Sequence, residues 1–443
     1  MMITTLLYIT FFVNTIIVFA TKLIPNDYLF SYGEVNNPLI INAFLEFKIQ
    51  ISLSDVTAIV QERLLPYHPR LKQCIMKDID GDLSWIQDNQ FNLSNHVFEI
   101  SSNDKKNGTV NLTEYLETIY ARPFTLNQPM YEFILIPAVE HGNHSVFIAR
   151  FHHMMADGMS LIGMILGAAD DGHGHTWGSF GRKEFSIGTK LALTASAAYQ
   201  IPKLLLRQQD KSIFNAPLQM PTKRHFAISD VAVSEIKKAQ IHLKCTFNDV
   251  LLVALTGALR QYSILKGTLP KKDIHIVIPV NWRTLAELEN MSLGNNIATI
   301  FLKIPITATT LSERLEHVLQ NINDQKKSGE AYVSTMIASM LPYIPKQLRK
   351  NRIVGALSKN SAFFSTVKGP INTMHFLGNA VSNMGFFVPT CGSVGLGISI
   401  LSYNGTATVT INCEQSVCTD PGMIMGLFKE EMQTLAEAVH SAN

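Results

Sequence analysis

The stretch His152-His153-Met154-Met155-Ala156-Asp157-Gly158 decides how this chain of 443 residues is interpreted. An apolar run rich in β-formers, Ser145 to Phe151, precedes it, and an apolar stretch of helical character, Met159 to Ile165, follows it. The pattern therefore predicts that the two histidines lie where a buried strand turns into a helix. Side chains at such a turn can project into a cleft.

His153 is the candidate general base of this stretch. A neutral imidazole has an unperturbed pKa of about 6.5, so it accepts a proton at physiological pH without a large shift. Such a base removes a hydroxyl proton while the hydroxyl oxygen attacks a carbonyl carbon. His152 is expected to support His153 by packing and hydrogen bonding.

Asp157 and Gly158 are interpreted as residues that hold the turn. Asp157 is expected to fix the local geometry through a buried ion pair rather than to relay a proton. Gly158 is expected to let the backbone turn sharply beside the site. The residues alone leave an alternative open, namely two hydrogen-bonded core histidines followed by an aspartate that caps the helix.

Further segments of the chain accompany the histidine motif. They are Phe247-Asn248-Asp249-Val250-Leu251-Leu252, Ile278-Pro279-Val280-Asn281-Trp282-Arg283, Leu293-Gly294-Asn295 and Ile398-Ser399-Ile400-Leu401-Ser402-Tyr403-Asn404-Gly405. Together with the motif, they resemble the wax ester synthase/diacylglycerol acyltransferase family of the WSD type. That family belongs with chloramphenicol acetyltransferase and the peptide-synthetase condensation domains among the His-His-x-x-x-Asp-Gly proteins. The resemblance covers approximately Pro25 to Ala438, in the family's order.

Two segments depart from the pattern of that family. Pro129-Met130-Tyr131 stands where the family usually has Pro-Leu-Trp. Thr366 stands where the family usually has Asn, within Ser365-Thr366-Val367-Lys368-Gly369-Pro370. Both segments are thought to line or brace the active-site region in the family. The departures therefore bear on the acyl acceptor more than on the type of reaction.

The resemblance implies an α/β (α+β) fold with two chloramphenicol-acetyltransferase-like lobes, open mixed sheets and a channel that contains His153. It also implies that a long-chain acyl group moves from acyl-CoA to an alcohol. The acceptor is a fatty alcohol, which gives wax ester, or diacylglycerol, which gives triacylglycerol. Acyl-CoA is then a substrate, and neither a cofactor nor a metal ion is expected.

Supporting roles for other residues follow from the same resemblance. Arg283 is the expected ion-pair partner of Asp157, and Arg70 is a second candidate. Asn248 and Asp249 are expected to brace the channel from the second lobe. Their alternative interpretation is an ordinary helix N-terminus, with Asn248 as the cap and Asp249 favourable to the helix dipole.

Two other functions stay open at this point. One is a membrane-tethered acyl- or lipid-binding protein that keeps the fold without the chemistry. The intact His153 and Asp157 argue against it, whereas Tyr131 and Thr366 leave it open. The other is an N-acyltransferase of the condensation type, which would be expected to have carrier-protein partners.

The segment from Met1 to Thr21 has no charged side chain and is about long enough to span a bilayer. It is predicted to be a retained single-pass transmembrane anchor. The alternative is a cleaved signal peptide, although a basic n-region is missing. Lys22 favours cytosolic lobes at the endoplasmic reticulum or plasma membrane, whereas six Asn-x-Ser/Thr sequons, usable only in the lumen, argue against that orientation.

Composition limits the classes of partner. The net charge is +2, with 16% charged and 47% hydrophobic residues, which suits apolar substrates and membrane lipid. Nucleic-acid binding is not expected, because it needs a concentrated basic face. The five scattered cysteines indicate neither a zinc site nor a disulfide framework. The predicted units are an anchor (1–21), an N-terminal lobe (25–170), a crossover linker with an amphipathic helix (171–216) and a C-terminal lobe (217–443), whose family-type C-terminal domain covers about 290–440.

Overall fold

Two six-stranded sheets, one in each lobe, form the framework of this computed structural model, together with a three-stranded sheet. One apolar core cluster combines Phe151 and Met155 of the N-terminal lobe with Val277 and Leu401 of the C-terminal lobe. The two lobes are therefore packed on each other. The structure describes residues 21–31, 38–78, 82–101, 105, 108–120, 122–140, 144–172, 181–217, 223–289 and 292–440.

Helices and strands are mixed along the whole chain. The elements before the crossover are β1 (Thr21–Lys22), α1 (Pro25–Tyr28), β2 (Ile40–Phe47), α2 (Leu53–Ile59, continued by a π-helical turn, Val60–Leu64), β3 (Gln73–Lys77), β4 (Leu83–Gln87), β5 (Val97–Glu99), α3 (Leu112–Ile119), β6 (Tyr131–Ile136), β7 (Val146–His152) and α4 (Gly158–Ala168). The elements from the crossover onward are α5 (Ile187–Leu206), β8 (Arg224–Ala232), α6 (Val233–His242), α7 (Phe247–Leu265), β9 (Ile274–Asn281), α8 (Leu285–Glu289), β10 (Ile297–Ile304), α9 (Leu311–Lys327), α10 (Glu330–Met340), α11 (Lys346–Leu357), β11 (Ala362–Lys368), β12 (His375–Phe376), β13 (Asn379–Phe387), β14 (Leu396–Tyr403), β15 (Thr406–Glu414) and α12 (Pro421–His440).

Each of the two large sheets is mixed. The N-terminal sheet has the strand order β12-β13-β2-β7-β6-β5, and the C-terminal sheet has the order β10-β9-β11-β14-β15-β8. In the first, β5 runs parallel to β6; in the second, β11 runs parallel to β9 and β14. The other neighbouring strands are antiparallel. The predicted pair of lobes with mixed sheets is confirmed.

The turn that carries the histidine motif is the predicted strand-turn-helix. β7 ends at His152, whose backbone N–H donates to Met130 O at 3.0 Å. Asp157 then caps α4 in a capping box: its Oδ1 accepts from Ser160 N–H at 2.9 Å, and its own N–H donates to Ser160 Oγ at 3.1 Å. The aspartate therefore serves as the helix cap.

Strand β13 crosses from the C-terminal half of the chain into the N-terminal sheet. It pairs antiparallel with β2, with Gly385 opposite Phe44. Directly after it, Val388 O accepts from Asn412 Nδ2 of β15 at 2.9 Å. The predicted C-terminal lobe of residues 217–443 therefore needs a correction, because β12 and β13 complete the N-terminal sheet.

The predicted N-terminal membrane helix also needs a correction. Within the described ranges, no helix has both the length and the hydropathy needed to cross a bilayer. Residues 1–20, on which the prediction falls, lie outside the described residues. Thr21, the last residue of the predicted anchor, is extended and pairs with Trp85 in the three-stranded sheet. The described residues therefore form the two-lobed α/β fold.

The crossover helix α5 lies on the surface. The sequence predicts a helix over Leu191–Leu206, and the structure extends it to Ile187, where Ser186 Oγ accepts from Thr189 N–H at 3.1 Å. Of its 20 residues, only Ala197 and Gln200 are buried. Most of its apolar surface is thus left exposed.

Candidate active site

His153 follows β7 in a buried setting. Its ring stacks on the ring of Phe30, with centroids 3.6 Å apart and planes inclined by 7°. Its backbone N–H donates to Leu39 O at 2.7 Å. Backbone pairing and ring stacking together fix the orientation of the imidazole.

Asn295 determines which nitrogen of His153 carries the proton. Its Oδ1 lies 3.0 Å from His153 Nδ1. Its Nδ2 faces Asp27 Oδ1 at 2.8 Å, His153 O at 2.7 Å and Met154 O at 3.3 Å. Since an amide NH2 can only donate and all three of these atoms accept, Oδ1 has to be the atom that accepts from Nδ1–H. The lone pair of neutral His153 is therefore on Nε2, as a general base requires.

Asp27 holds the side chain and the backbone of Asn295 in place. It is fully buried, and its Oδ1 also accepts from the backbone N–H of Asn295 at 3.3 Å. Arg70 Nη1 donates to Asp27 Oδ2 at 3.2 Å and to Met155 O at 3.3 Å. Burial raises the pKa of Asp27 to about 6, and the positive charge of Arg70 opposes this shift. Arg70, the second candidate partner of Asp157, thus pairs with Asp27 instead.

Arg283 is the ion-pair partner of Asp157. Its Nη1 donates to both carboxylate oxygens, at 3.0 and 2.8 Å, and both side chains are buried. Asn296 N–H donates to Asp157 Oδ2 at 2.8 Å. Gly294 O accepts from Arg283 Nη2 at 2.9 Å and from Ser160 Oγ at 3.0 Å. Asp157 thus ties the turn of the N-terminal lobe to the segment before β10, which suits a structural role.

Burial favours the neutral form of both histidines of the motif. It lowers the pKa of His153 below its usual value. Burial and the proximity of His153 lower the pKa of His152 to about 4. His152 Nδ1 accepts from Met154 N–H at 3.2 Å, so this ring supports the backbone of the turn. His153 remains the candidate base, with the lone pair of its neutral ring on Nε2.

Known proteins share both the sequence pattern and the fold. The family model described as "Wax ester synthase/diacylglycerol acyltransferase catalytic domain" matches residues 51–185, and the one described as "WS/DGAT C-terminal domain" matches residues 293–436. The chain belongs to the wax ester synthase/diacylglycerol acyltransferase family. It is accordingly an acyltransferase.

Individual relatives and solved structures extend the likeness over most of the chain. "Probable diacyglycerol O-acyltransferase tgs1" of Mycobacterium tuberculosis is 22% identical over 373 residues, which cover 78% of this chain and 79% of the relative. The wax ester synthase/diacylglycerol acyltransferase from Marinobacter aquaeolei VT8 superposes with a TM-score of 0.69 at 16% identity, covering 95% of this chain and 100% of that chain. The starter condensation domain of rhizomide synthetase superposes with a TM-score of 0.64 at 12% identity, covering 96% of each chain.

Gly158 of this acyltransferase marks a close approach of the two lobes. The expectation that it permits a sharp turn is wrong, because it is the first residue of α4 and has no positive φ. A Cβ placed on it would lie 3.6 Å from Val367 Cγ2, an ordinary van der Waals contact. Val367 belongs to β11, so a larger side chain at position 158 would press on the C-terminal sheet.

Asn248 and Asp249 lie at the N-terminus of α7. Thr246, rather than Asn248, is the cap: its N–H donates to Asp249 Oδ2 at 2.8 Å, and its Oγ1 accepts from Asp249 N–H at 3.3 Å. Asp249 is buried and Asn248 is exposed. These are the contacts of an ordinary helix N-terminus, and no hydrogen bond described for either residue leads to His153.

The two departures from the family pattern lie in different surroundings. Tyr131 is fully buried and stacks on His96 and Phe151, with centroids 4.6 and 5.6 Å apart. Burial raises the pKa of its hydroxyl far above the usual range. Thr366 is half-buried on β11, beside the Val367 that approaches Gly158. Tyr131 is thus a core residue of the N-terminal lobe, whereas Thr366 lies where the lobes meet.

Three residues of the site carried no role in the sequence analysis: Asn295, Asp27 and Phe30. Asn295 stands in the Leu-Gly-Asn segment, where a polar side chain directly after glycine was the available signal. Asp27 and Phe30 lie just after the apolar N-terminal segment, in no motif. Their contribution appears only when the fold brings α1 against the histidine motif.

Proposed function

We propose that this acyltransferase transfers a long-chain acyl group from acyl-CoA to diacylglycerol or a long-chain alcohol, with His153 as the general base. The observation that carries the proposal is the tautomer fixed by Asn295, which leaves the Nε2 lone pair for the hydroxyl proton. As Nε2 takes that proton, the alcohol oxygen attacks the thioester carbonyl carbon and the C–S bond breaks. The proton then passes to the departing thiolate, which leaves an ester, free coenzyme A and neutral His153.

The relatives support the classes of donor and acceptor. The tgs1 protein and the Marinobacter enzyme are named as acyltransferases for diacylglycerol, and the latter also as a wax ester synthase. The starter condensation domain was solved in complex with C8-CoA, so this fold accommodates an acyl-CoA thioester in at least one member. These names and the neutral His153 point to the same reaction class.

An acceptor panel tests the proposal. Purified protein is incubated with labelled long-chain acyl-CoA and, separately, with diacylglycerol, a long-chain alcohol and a long-chain amine. We expect labelled ester from the first two acceptors and no amide. A labelled amide would instead support the condensation-type N-acyltransferase. If the protein binds acyl-CoA but forms no labelled product, the result would support the lipid-binding alternative.

A membrane surface is the proposed source of the apolar acceptor, with α5 as the element that lies on it. Ile187, Leu191 and Leu206 of this helix are 79%, 67% and 80% exposed. Lys190 and Lys203 are also exposed, and α5 contains no acidic residue. An exposed apolar helix with lysines suits the interface of an anionic bilayer. Because acyl-CoA is cytosolic, the proposed surface is the cytosolic one.

Vesicle co-sedimentation tests this location. We expect the protein to sediment with vesicles that contain anionic lipid and to do so less after Leu191→Ser combined with Leu206→Ser. Ile241→Ser is the matched control, since Ile241 is 77% exposed but lies on α6. Equal sedimentation of both variants and the parent would contradict the proposal.

A further inference from the structure

A polar pocket lies where α5 passes the ends of β9 and β10. Its volume is about 260 Å³, close to the lower limit of roughly 300 Å³ for small-molecule sites. The polar side chains that line it include both cations and amides. Among them are Gln200, Lys203, Arg207, His275, Lys303 and Gln325.

Several polar atoms of this pocket are buried without a hydrogen-bond partner among the described residues. They are Arg207 Nε and Nη1, Gln200 Oε1 and Gln325 Nε2. The Arg207 guanidinium is held in place, because Nη2 donates to Asn360 Oδ1 at 2.8 Å and the group lies 5.0 Å from the centroid of the Phe301 ring. Buried polar groups normally have partners, so a cluster of unpaired ones indicates a place for a ligand or water.

The acidic groups nearby are engaged elsewhere, which leaves Arg207 Nε and Nη1 without a hydrogen-bond acceptor among the described residues. Asp210 accepts from His275 and from Ser361 Oγ, at 2.9 Å each, and Glu330 Oε1 accepts from Phe301 N–H at 2.7 Å. Asp273 lies 3.6 Å from Lys303.

Asp324 also lines the pocket, on its exposed side. The N–H groups of Arg207 at Nε and Nη1 are therefore able to donate to a ligand. Guanidinium and ammonium groups at such a place suit phosphate, and amide side chains suit the amides of an organic ligand.

The pocket continues the face of the C-terminal sheet that meets the N-terminal lobe. In the β9–β10 pair, Phe301 is opposite Val277 and Lys303 is opposite His275. Alternate residues of a strand share a face, so Lys303 and His275 extend the face of Phe301 and Val277. Those two pack in the core cluster that also contains Met155 of the histidine motif. Asn295, the partner of His153, precedes Phe301 by six residues, or roughly 20 Å at the rise of a strand.

We propose that this pocket binds the phosphate-bearing end of the thioester donor. Arg207, Lys203 and Lys303 contact phosphate oxygens, and Gln200 and Gln325 contact amide groups of the pantetheine arm, which reaches from there to His153. The inference rests on the proposed acyl-CoA donor, and it adds the residues that would recognise that donor far from the reacting carbonyl. Remote contacts of this kind hold the thioester at the base.

The test compares a full donor with a truncated one. We expect Arg207→Gln to raise KM for acyl-CoA about 10-fold, the effect of losing a hydrogen bond to a charged group. With acyl-pantetheine, which lacks the nucleotide phosphates, the same variant should match the parent.

Lys303→Gln should show the same pattern to a smaller degree. Because the Lys303 side chain is half-exposed, this variant should fold even if Arg207→Gln does not. Lys237→Gln removes an exposed lysine of α6 and is the matched control. Equal losses with both donors, or none with either, would overturn the proposal.

A binding measurement separates this proposal from the proposed function. Calorimetric titration with 3′,5′-ADP should detect binding that weakens in Arg207→Gln and not in Lys237→Gln. If the parent binds 3′,5′-ADP in this way but transfers no acyl group from acyl-CoA, the proposed function fails while the pocket assignment stands. If inorganic phosphate alone binds as tightly as 3′,5′-ADP, the pocket is a free-phosphate site and the donor assignment is wrong.

Discussion

His153, Asn295 and Asp27 form a chain of hydrogen bonds that runs from Nδ1 of the imidazole to a buried carboxylate. Each link restricts the next. Asp27 and two carbonyl groups fix the amide of Asn295, the amide fixes the tautomer of His153, and the tautomer leaves Nε2 free. The proposed chemistry thus depends on an amide that would touch no reacting atom.

His153→Ala should abolish acyl transfer while the protein stays folded. A general base contributes roughly 10²–10⁴-fold in rate, so turnover should fall by at least the lower figure. The measurement is labelled ester formed per enzyme, with the melting temperature as the control for folding. Turnover above about a tenth of the parent's would refute the role of His153 as base.

Asn295→Leu should change the pH profile as well as the rate. Burial places the His153 pKa below its usual value, and the hydrogen bond to Asn295 opposes that shift. In the parent, kcat/KM should therefore rise with pH along an acidic limb and level off below neutrality. Losing the hydrogen bond lowers the pKa further, so the limb should move to lower pH while kcat falls roughly 10-fold or more.

A merely structural role for Asn295 would give a different result. The rate would fall with the melting temperature, and the acidic limb would stay where the parent has it. Measuring kcat/KM between acidic and neutral pH for both proteins decides between the two.

At the scale of elements, the turn between β7 and α4 joins two functions in one aspartate. One oxygen of Asp157 caps the helix, and both oxygens bind Arg283 from the C-terminal lobe. The helix start and the contact between lobes are thus stabilised by the same side chain. Disturbing either one disturbs the backbone that carries His153.

Asp157→Asn and Arg283→Gln should not be additive in the free energy of unfolding. Breaking a buried ion pair by changing one partner costs roughly 3–5 kcal/mol, because the other charge is left buried. Asparagine still caps a helix, so most of the loss in Asp157→Asn should come from the ion pair. Chemical denaturation of the two single variants and the double variant measures the coupling; strict additivity would mean that the residues do not act together.

The sequence predicted the elements that depend on local pattern. The strand before His152 and the helix after Asp157 both follow from the hydrophobic pattern of the sequence, within a few residues. The pairing of Asp157 with Arg283 came from the family resemblance. Asn295 received no role, because its effect depends on which way its amide is turned, and that is set by Asp27, 268 residues away along the chain.

The sheet that β13 joins could not be predicted from the sequence, for a related reason. The sequence analysis placed its residues in the C-terminal lobe, and nothing local indicates that they pair with β2, more than 300 positions earlier. Strand pairing depends on the partner as well as on the strand. Gly385 is the residue that the pairing requires to be small, since a Cβ there would lie 2.7 Å from the ring of Phe44.

Because β13 joins the two lobes, we expect them to unfold as one cooperative unit. The strand pairs with β2 in the N-terminal sheet, and Val388, directly after it, accepts a hydrogen bond from Asn412 of the C-terminal sheet. The shared core cluster adds apolar contacts across the same boundary. Separate unfolding of one lobe would therefore have to break contacts of the other.

Amides of β2 and β14 should lose hydrogen-exchange protection at the same denaturant concentration. Gly385→Val should lower that concentration for both strands together, because the new side chain meets the buried Phe44 ring, and overpacking of this kind costs roughly 1–3 kcal/mol. Two separate transitions, with only the N-terminal strands affected by the substitution, would show that the lobes unfold independently.

The crossing of β13 also limits how such a protein can be divided. A fragment that ends before residue 375 would leave the edge of β2 unpaired, and an open edge invites pairing with other chains. The complementary fragment would carry a strand whose partner is missing. Neither half would therefore keep its sheet intact as a separate module.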